Sequence, residues 1–486
     1  MRAAVIGSGV GGMAIAIRMA VKGYKVTVFE QSSRVGGKLN ELRMNGFRFD
    51  TGPSLFTMPD LVDELFGIAG NEGTDLFSYQ KLENVTRYFY PDGKVLNSWA
   101  DPNRFAQEAE TILGEPAVNI QKYLSECSDL YRLTSKMFIF SPFPTWEGFK
   151  SKEAQELGKN IKKLKAFETM HKVNSRSFSK AQTVQLFNRF ATYNGSNPYK
   201  APGTLTIIPH LEHNVGAYFP ERGMYSIAEA MQELAIKLGV KFELNCLVQR
   251  IDYKNNKVIG IMANGASEPF DIVVNNTDIF NAYPKLMPEH KLSWFYKRQK
   301  PSSSALIFYW GVKGEYSSLD LHNILFSADY PGEFKILEGK GISTDPTVYI
   351  FISSKMVKQD APKGHENWFV MVNAPADSGQ DWDEITKTTR TNILKKIKKE
   401  TGIDIEPSLV CEDILTPPLI EHKTGSYRGA LYGISSNNKF AAFSRHPNRS
   451  KNIDGLYFTG GSVHPGGGIP LCLASAKIVD NYIKPI

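Results

Sequence analysis

A glycine-rich turn near the N terminus, set between a short apolar run and an apolar helix, constrains the fold more than any other part of the chain. Residues 3–6 suit a buried parallel strand, and residues 7–12 then read GSGVGG. Residues 13–21 read as an apolar helix, and residues 25–29 as a second strand that ends in Glu30. A strand, a glycine turn, a helix, a strand and an acid in this order predict a Rossmann-like βαβ unit.

Three of the glycines and the acid have separate mechanical roles in such a unit. Gly7 permits the tight turn, Gly9 lets a pyrophosphate approach the backbone, and Gly12 lets the helix pack closely against the strand. The N terminus of the helix presents free N–H groups to phosphates, and Glu30 can accept hydrogen bonds from an adenosine ribose. The pattern therefore predicts a bound dinucleotide. The alternative is a glycine-rich turn in an α/β domain that binds no ligand.

A second glycine pair follows the acid, in the RVGGK stretch at residues 34–38. Its glycines mark another close approach of the backbone, and Arg34 and Lys38 add positive charge beside a pyrophosphate. The sequence FDTGP follows at residues 49–53. An NAD dehydrogenase does not require this second element. It resembles the R-x-G-G-R/K stretch of the FAD-binding amine oxidase and carotenoid desaturase superfamily, and this resemblance predicts FAD as the cofactor.

Composition limits the other classes to which the chain could belong. Its 486 residues are enough for two or three domains. The net charge of +7 comes with no basic block interleaved with aromatics, so we expect no nucleic-acid partner. Cys127, Cys246, Cys411 and Cys472 are scattered, which indicates reduced thiols and no metal site. Without a signal peptide or an apolar run of about 18 residues, we expect a cytoplasmic protein with no spanning helix.

The middle of the chain contains two segments that could meet lipid. Residues 137–146 are apolar, aromatic and interrupted by prolines, which excludes a regular helix; the segment is either a packed core loop or an apolar portal. A second segment has the spacing of a helix in a membrane interface, although a solvated surface helix would look similar. Its apolar face is Leu157, Ile161, Leu164 and Phe167, and the lysines between are Lys159, Lys162, Lys163 and Lys165.

Two later blocks predict that the chain returns to its first domain. Residues 241–276 are rich in strand patterns, and residues 455–461 read as a strand that ends on glycines. The loop at 462–470 reads SVHPGGGIP and leads into an apolar helix, whose N terminus could lie against a flavin ring. His464 in this loop is either a base or a structural residue.

With both ends and the middle block considered together, nearly the whole chain is similar to the bacterial phytoene desaturase family of carotenoid desaturases. Besides the first two glycine elements, the segments that carry the resemblance are residues 220–224, 276–278, 345–347, 361–366, 429–433 and 459–470. Residues 190–198 (FATYNGSNP) resemble the branch that desaturates hydroxylated or methoxylated carotenoids at the 3,4 bond. Where most members have two glycines before Met224, this chain has Glu221, Arg222 and Gly223.

The predicted fold is α/β, with a discontinuous Rossmann-like FAD-binding domain, an α+β substrate domain and a helical, membrane-facing part. The FAD-binding segments are residues 1–95, 204–280 and 441–486. Residues 96–203 form the helical substrate or membrane part, and residues 281–440 form the sheet and helices of the substrate domain.

The resemblance also implies individual FAD contacts. Glu30 and Gln31 would contact the ribose and Lys38 the pyrophosphate. Two residues would pass beside the ring, two would lie at the adenine, and the C-terminal residues would line the isoalloxazine side. The full predicted set is Gly7, Gly9, Gly12, Glu30, Gln31, Gly37, Lys38, Ser54 and Leu55 (beside the ring), Val248 and Asn276 (at the adenine), and Leu431, Gly460, Gly461, Gly468 and Ile469 (isoalloxazine side).

The implied reaction removes a hydride and a proton from a long apolar polyene, and the hydride passes to the flavin. A developing cation is delocalised along the polyene, so a strong protein base is unnecessary and no catalytic residue is assigned. Glu212 and His213 are candidate proton acceptors. The expected partners are a carotenoid, the inner membrane surface, and oxygen or a quinone as electron acceptor. Phytoene desaturase, carotenoid isomerase, amine oxidase-like enzyme and flavin-binding pigment carrier are the alternatives.

Overall fold

The computed structural model of the protein describes residues 1–70, 76–142, 158, 160–438 and 444–486. Its strands are β1 (Arg2–Ile6), β2 (Lys25–Phe29), β3 (Glu41–Met44), β4 (Phe47–Asp50), β5 (Tyr79–Lys81), β6 (Asn84–Phe89), β7 (Val95–Trp99), β8 (Tyr218–Pro220), β9 (Lys241–Glu243), β10 (Val248–Lys254), β11 (Lys257–Ala263), β12 (Ala266–Pro269), β13 (Ile272–Asn275), β14 (Ser304–Lys313), β15 (His322–Leu325), β16 (Val348–Phe351), β17 (His365–Ala374), β18 (Leu409–Leu415) and β19 (Leu456–Phe458). Its α-helices of at least one turn are α1 (Val10–Val21), α2 (Asp60–Ile68), α3 (Pro102–Leu113), α4 (Ala117–Phe138), α5 (Met170–Ser177), α6 (Ala181–Arg189), α7 (Ser226–Lys237), α8 (Ile279–Leu286), α9 (Trp294–Lys297), α10 (Tyr330–Glu338), α11 (Trp382–Thr401), α12 (Pro417–Thr424) and α13 (Ile469–Asp480).

A parallel sheet in the order β19-β13-β1-β2-β9 joins three distant stretches of the chain. In the centre, Ala4 of β1 lies opposite Thr27 of β2 and Val273 of β13, and residues 3–6 are buried because neighbours cover both faces of the strand. Helices α1, α7 and α13 pack together against this sheet. The predicted βαβ unit and the parallel sheet of a mixed α/β fold are therefore confirmed.

A second sheet, in the order β18-β14-β17-β16-β15-β6-β7, builds the other half of the molecule. Strand β14 lies next to the edge strand β18; it is buried along its first nine residues and pairs antiparallel with both β17 and β18. Strand β6 lies within the segment 1–95 that the sequence assigns to FAD binding, yet it pairs in parallel with β15 of this second sheet. The pairing buries Tyr88 and Phe89, which β6 could not bury by local contacts.

Within the strand-rich block at 241–276, only β9 and β13 enter the parallel sheet. Strands β10, β11 and β12 form a separate antiparallel sheet. Helices α3 to α6 form a layer whose core contains Phe105, Tyr123 and Phe187. In the part of the chain that the structure describes, every helix is too short or too polar to cross a membrane.

The two segments with predicted lipid contact differ from the sequence expectation. Residues 137 and 138 still belong to α4, and residues 143–146 lie outside the described part. The amphipathic helix predicted around Ile161 is wrong for the described residues, because one 3₁₀ turn (Ile161–Leu164) ends at Lys165 in the left-handed conformation, with φ of 53°. Leu164 is buried whereas Phe167 is exposed, so they do not share one face. Leu157 and Lys159 lie outside the described residues.

The departure from the family pattern before Met224 falls on the surface. Arg222 is exposed and donates to the carbonyl oxygen of Leu76 at 3.4 Å. Gly223 adopts φ of +83°, and a Cβ there would overlap the buried guanidinium of Arg48. The chain therefore retains glycine at position 223, where a side chain does not fit, and has an exposed arginine at position 222.

Candidate cofactor and substrate cavity

A cavity of about 870 Å³ lies between the parallel sheet, the second sheet and the helical layer. It brings together the glycine turn at residues 7–12, the loop at 460–472 and the end of α4. All of the predicted cofactor contacts except Gly12 line this cavity. Gly12 instead packs against the turn, where a Cβ would overlap the carbonyl oxygen of Gly7 and lie 3.0 Å from Asn276 Nδ2.

The first glycine turn and the RVGGK stretch form one continuous surface. Gly9 and Gly36 form a parallel bridge, and the N–H of Gly36 donates to the carbonyl oxygen of Ser8 at 3.0 Å. An added Cβ on Gly37 would lie 3.4 Å from the Cα of Gly9. The second glycine pair is therefore needed because the two backbones touch at the wall of the cavity.

Two helix N termini border the cavity without a capping side chain among the described residues. Helix α1 begins after Gly9 and helix α13 begins after Gly468, and both glycines line the cavity. Free N–H groups at a helix N terminus attract negative charge. Together with the close glycine contacts, they make a cradle that fits the pyrophosphate of a dinucleotide at α1 and leaves a second polar site at α13.

Glu30 lies at the end of β2 and is held by the glycine turn. The N–H and the hydroxyl of Ser8 donate to its Oε2 at 2.9 and 2.7 Å, and the N–H of Ser32 donates to Oε1 at 2.9 Å. A carboxylate has further acceptor sites, so this arrangement orients Glu30 and still allows hydrogen bonds from ribose hydroxyls.

Replacing Glu30 by alanine is expected to weaken FAD binding about 10- to 100-fold, because a charged hydrogen-bond acceptor is lost. Titration of the apo-protein with FAD, followed by flavin fluorescence, measures this loss. Glu243→Ala is the matched control, since Glu243 ends the neighbouring strand β9 and is exposed. Unchanged FAD affinity in the Glu30 variant would contradict the ribose contact.

Lys38 differs from its simplest sequence interpretation. Its ammonium donates to the carbonyl oxygens of Ala430 at 3.1 Å and Leu431 at 2.7 Å. Burial lowers the pKa of Lys38 below its usual value, and the Asp278 carboxylate opposes that shift. The charge is therefore directed at the loop predicted for the isoalloxazine side, while the neighbouring Gly37 backbone is the part that meets the glycine turn.

The proposed proton acceptors have different surroundings. Glu212 lines the cavity, whereas His213 stacks on Phe105 with ring centroids 4.6 Å apart, and burial lowers the pKa of His213 to about 3. His464 Nε2 lies 3.1 Å from the carbonyl oxygen of Ser141, and burial lowers the pKa of His464 to about 4. Of these three candidate proton acceptors, Glu212 is the one that lines the cavity.

Several polar residues of the cavity were missed by sequence reasoning. Tyr349 shares one hydrogen bond of 2.6 Å with Ser54 and another of 2.8 Å with His322. Arg189 and Tyr193 line the cavity beside them. The one available signal was the FATYNGSNP stretch, which contains Tyr193 and directly follows Arg189.

The family model described as flavin containing amine oxidoreductase matches residues 10–479. The chain belongs to this family. Among curated members, it is 46% identical over 483 residues to a 1-hydroxycarotenoid 3,4-desaturase of Flavobacterium sp. (strain P99-3), with 99% of each chain covered. It is 31% identical over 494 residues to a 4,4'-diapolycopene oxygenase of Methylomonas sp., with 99% of this chain and 98% of the relative covered.

Two solved structures share the fold of this chain over nearly its whole length. A putrescine oxidase bound to putrescine superposes with a TM-score of 0.63 at 12% identity over 99% of each chain. An oxidoreductase from Methanosarcina mazei gives 0.61 at 14% identity, over 98% of this chain and 99% of that one. The protein is therefore a flavin-containing oxidoreductase, and the dinucleotide that its glycine cradle fits is FAD.

Proposed function

We propose that the protein is a carotenoid desaturase that forms the C3–C4 double bond of a 1-hydroxylated carotenoid. The observation that carries the proposal is one cavity in which the FAD-binding residues continue into an apolar wall. Side chains of that wall are Phe138, Ile139, Leu164, Leu205, Ile207 and Ile208. The full-length similarity to a 1-hydroxycarotenoid 3,4-desaturase supports the substrate class.

The protein contributes to this reaction by orienting the substrate and by excluding water. When bound, FAD supplies a two-electron acceptor for the hydride that leaves the substrate. The apolar wall holds the polyene in line and excludes water from the reacting carbons. Loss of the hydride leaves a positive charge that is delocalised along the polyene. This charge acidifies the proton on the adjacent carbon, whose loss forms the double bond, so a weak proton acceptor is sufficient. Oxygen or a quinone is the expected final electron acceptor.

Purified protein loaded with FAD and supplied with single pigments tests this function. With a 1-hydroxylated carotenoid, phytoene and γ-carotene offered separately, we expect loss of two mass units and a red shift with the hydroxylated pigment. Desaturation of phytoene instead would assign the protein to the general branch. No change in any pigment, with FAD bound, would refute the carotenoid function and favour a small amine as substrate.

The proposal includes contact with the inner face of a membrane, where such pigments reside. Helix α9 begins with Trp294 and Phe295, whose side chains are 68% and 50% exposed. The exposed cations around them are Lys291, Lys297, Arg298 and Lys300. Exposed aromatics flanked by cations match the depth and the negative charge of a lipid headgroup layer. We call these residues the α9 patch.

Replacing Trp294 and Phe295 together by serine is expected to reduce binding to anionic vesicles about tenfold or more, because most of the buried apolar area is lost. Co-sedimentation with phosphatidylserine-containing and with neutral vesicles measures it. Val118→Ser is the control, because Val118 is 64% exposed and lies on α4. Equal binding by the patch variant and the wild type would rule out the α9 patch as the contact.

A further inference from the structure

A charged cluster lies buried in the wall of the otherwise apolar cavity. Arg189, at the end of α6, donates to the hydroxyls of Tyr88 at 2.7 Å and Tyr193 at 3.1 Å. Tyr193 donates to Glu212 Oε2 at 2.7 Å, and the guanidinium of Arg189 lies 3.9 Å from Glu212 Oε1. Glu212 is 1% exposed and sits in a π-helical turn (Leu211–Val215), a backbone form that is frequent at functional sites.

Two polar atoms of this cluster have no hydrogen-bond partner in the described part of the protein. They are Oε1 of Glu212 and Nε of Arg189, and both residues line the cavity. A buried polar atom without a partner is destabilising, and such atoms in a native protein normally meet water or a ligand. The cluster is therefore incomplete without a small polar group inside the cavity.

The cluster is connected to the residues predicted to lie beside the flavin ring. Ser54, in that predicted set, shares its hydrogen bond with Tyr349, and Tyr349 reaches His322. Tyr88, which accepts from Arg189, and Tyr349 lie opposite Ile324 on its two sides, so the three residues form one row across β6, β15 and β16. The polar cluster is thus at the ring-side part of the cavity and not at a remote end.

The chemistry of the two atoms without a hydrogen-bond partner favours a neutral hydroxyl as the ligand. Arg189 stands beside Glu212, so a cationic amine in the same place would meet like charge, and an anion would meet the carboxylate. Burial raises the pKa of Glu212 while Arg189 opposes the rise. A hydroxyl both donates and accepts, so it can bond to the acid in either protonation state and to Arg189 Nε.

We propose that Arg189, Glu212 and Tyr193 form the binding site for the 1-hydroxyl of the carotenoid, with Glu212 Oε1 as its direct partner. This inference rests on the proposed function and deepens it. The hydroxyl oxygen is four covalent bonds from C4, at about 1.5 Å each, so it lies within roughly 6 Å of the bond that is desaturated. A hydroxyl bound at the cluster therefore places the 3,4 bond at a set distance from the site, and this distance determines which bond is desaturated.

Turnover of a matched pair of pigments tests the site. The pair is a 1-hydroxylated carotenoid and the same polyene without the hydroxyl, and the readout is the ratio of their kcat/KM values. The wild type should prefer the hydroxylated pigment about 10- to 100-fold. Glu212→Leu should bring the ratio close to one, mainly through KM, whereas Glu212→Gln keeps hydrogen-bonding atoms and should keep most of the preference.

Glu212→Leu leaves Arg189 buried without its carboxylate partner and could therefore prevent folding. A double variant separates this effect from the loss of the hydroxyl site. Replacing the ion pair together, Glu212→Leu with Arg189→Met, keeps an apolar core of similar volume, and it should prefer the deoxy pigment. Lys396→Met with Glu400→Leu removes a buried pair that does not line the cavity, and should leave the ratio unchanged. The site is overturned if the wild type turns over both pigments with no preference for the hydroxylated one, or if the preference survives in the double variant. If the wild type turns over neither pigment, the proposed function is refuted instead.

Discussion

Replacing Gly12 by alanine should strongly destabilise the protein and remove most of its FAD binding. The new Cβ would overlap the carbonyl oxygen of Gly7 and press on the Asn276 side chain, which lies at the end of β13. The Gly7 oxygen belongs to the backbone and cannot rotate away, so α1 must move away from the sheet, and the glycine cradle opens. We expect a loss of about 3 kcal/mol or more, with little flavin retained by the purified variant.

Gly67→Ala is the matched control for this substitution. Gly67 is also helical, in α2, but no atom lies within 4 Å of the Cβ position, so alanine should stabilise the protein by about 0.5 kcal/mol or more. Flavin absorbance and urea unfolding of both variants separate close packing from helix propensity. A Gly12→Ala protein with full flavin content and a wild-type unfolding midpoint would contradict the packing argument.

Replacing Arg48 by leucine is expected to destabilise the protein by about 3–5 kcal/mol. The buried guanidinium donates to Glu41 at 2.7 Å and to Asp50 at 2.8 Å, and it pairs with Asp360 at 3.2 Å. Asp50 also accepts a hydrogen bond of 2.9 Å from the backbone N–H of Tyr225, just before α7. Leucine would leave Asp50 and Asp360 buried together without a cation, while Glu41 keeps its pairs with Arg34 and Arg43. The connection between β4 and α7 would weaken.

The size of this loss should depend on pH. Burial raises the pKa of Asp360 to about 6 even with Arg48 in place, and removal of Arg48 raises it further. A carboxyl with a raised pKa binds more protons in the folded state, so stability is highest at low pH and falls as the pH rises through that pKa. Urea unfolding should therefore show a smaller penalty for Arg48→Leu at about pH 5 than at about pH 7.5.

Arg132→Leu is the control for the buried cluster. Arg132 pairs with Asp129 at 3.0 Å, but both side chains are exposed, so its loss should change the free energy of unfolding by about 0.5 kcal/mol or less. A penalty for Arg48→Leu as small as this would show that Asp50 and Asp360 do not need the guanidinium. A large penalty that is independent of pH would contradict the predicted titration of Asp360.

Local spacing was sufficient to predict the dinucleotide-binding βαβ unit, and the resemblance of residues 34–38 to a known family then indicated FAD. The turn at residues 7–12, the strand before it and Glu30 after β2 are separated by distances that a βαβ unit imposes over a few dozen residues. The role of each of these residues can therefore be predicted from the residues next to it in the sequence. The same holds for the loop before α13, where glycines and a helix start lie together in the sequence.

The substrate half required the tertiary structure. Arg189, Glu212 and Tyr349 come from α6, a π-helical turn and β16, and no spacing rule connects them. Lys165 ends a helix that its neighbours' periodicity predicted, because its backbone turns left-handed.

The physical reason is the range of the interactions. The glycine turn and the start of α1 lie within a few residues of one another, so residues 1–38 carry their own evidence for a dinucleotide-binding unit, and the resemblance of residues 34–38 to a known family adds FAD. The partner of a buried charge is set by whatever chain folds across it, as Glu212 does for Arg189. The sequence therefore determined the cofactor and the fold class, and the packing of distant segments decided where the cavity offers a polar group to its substrate.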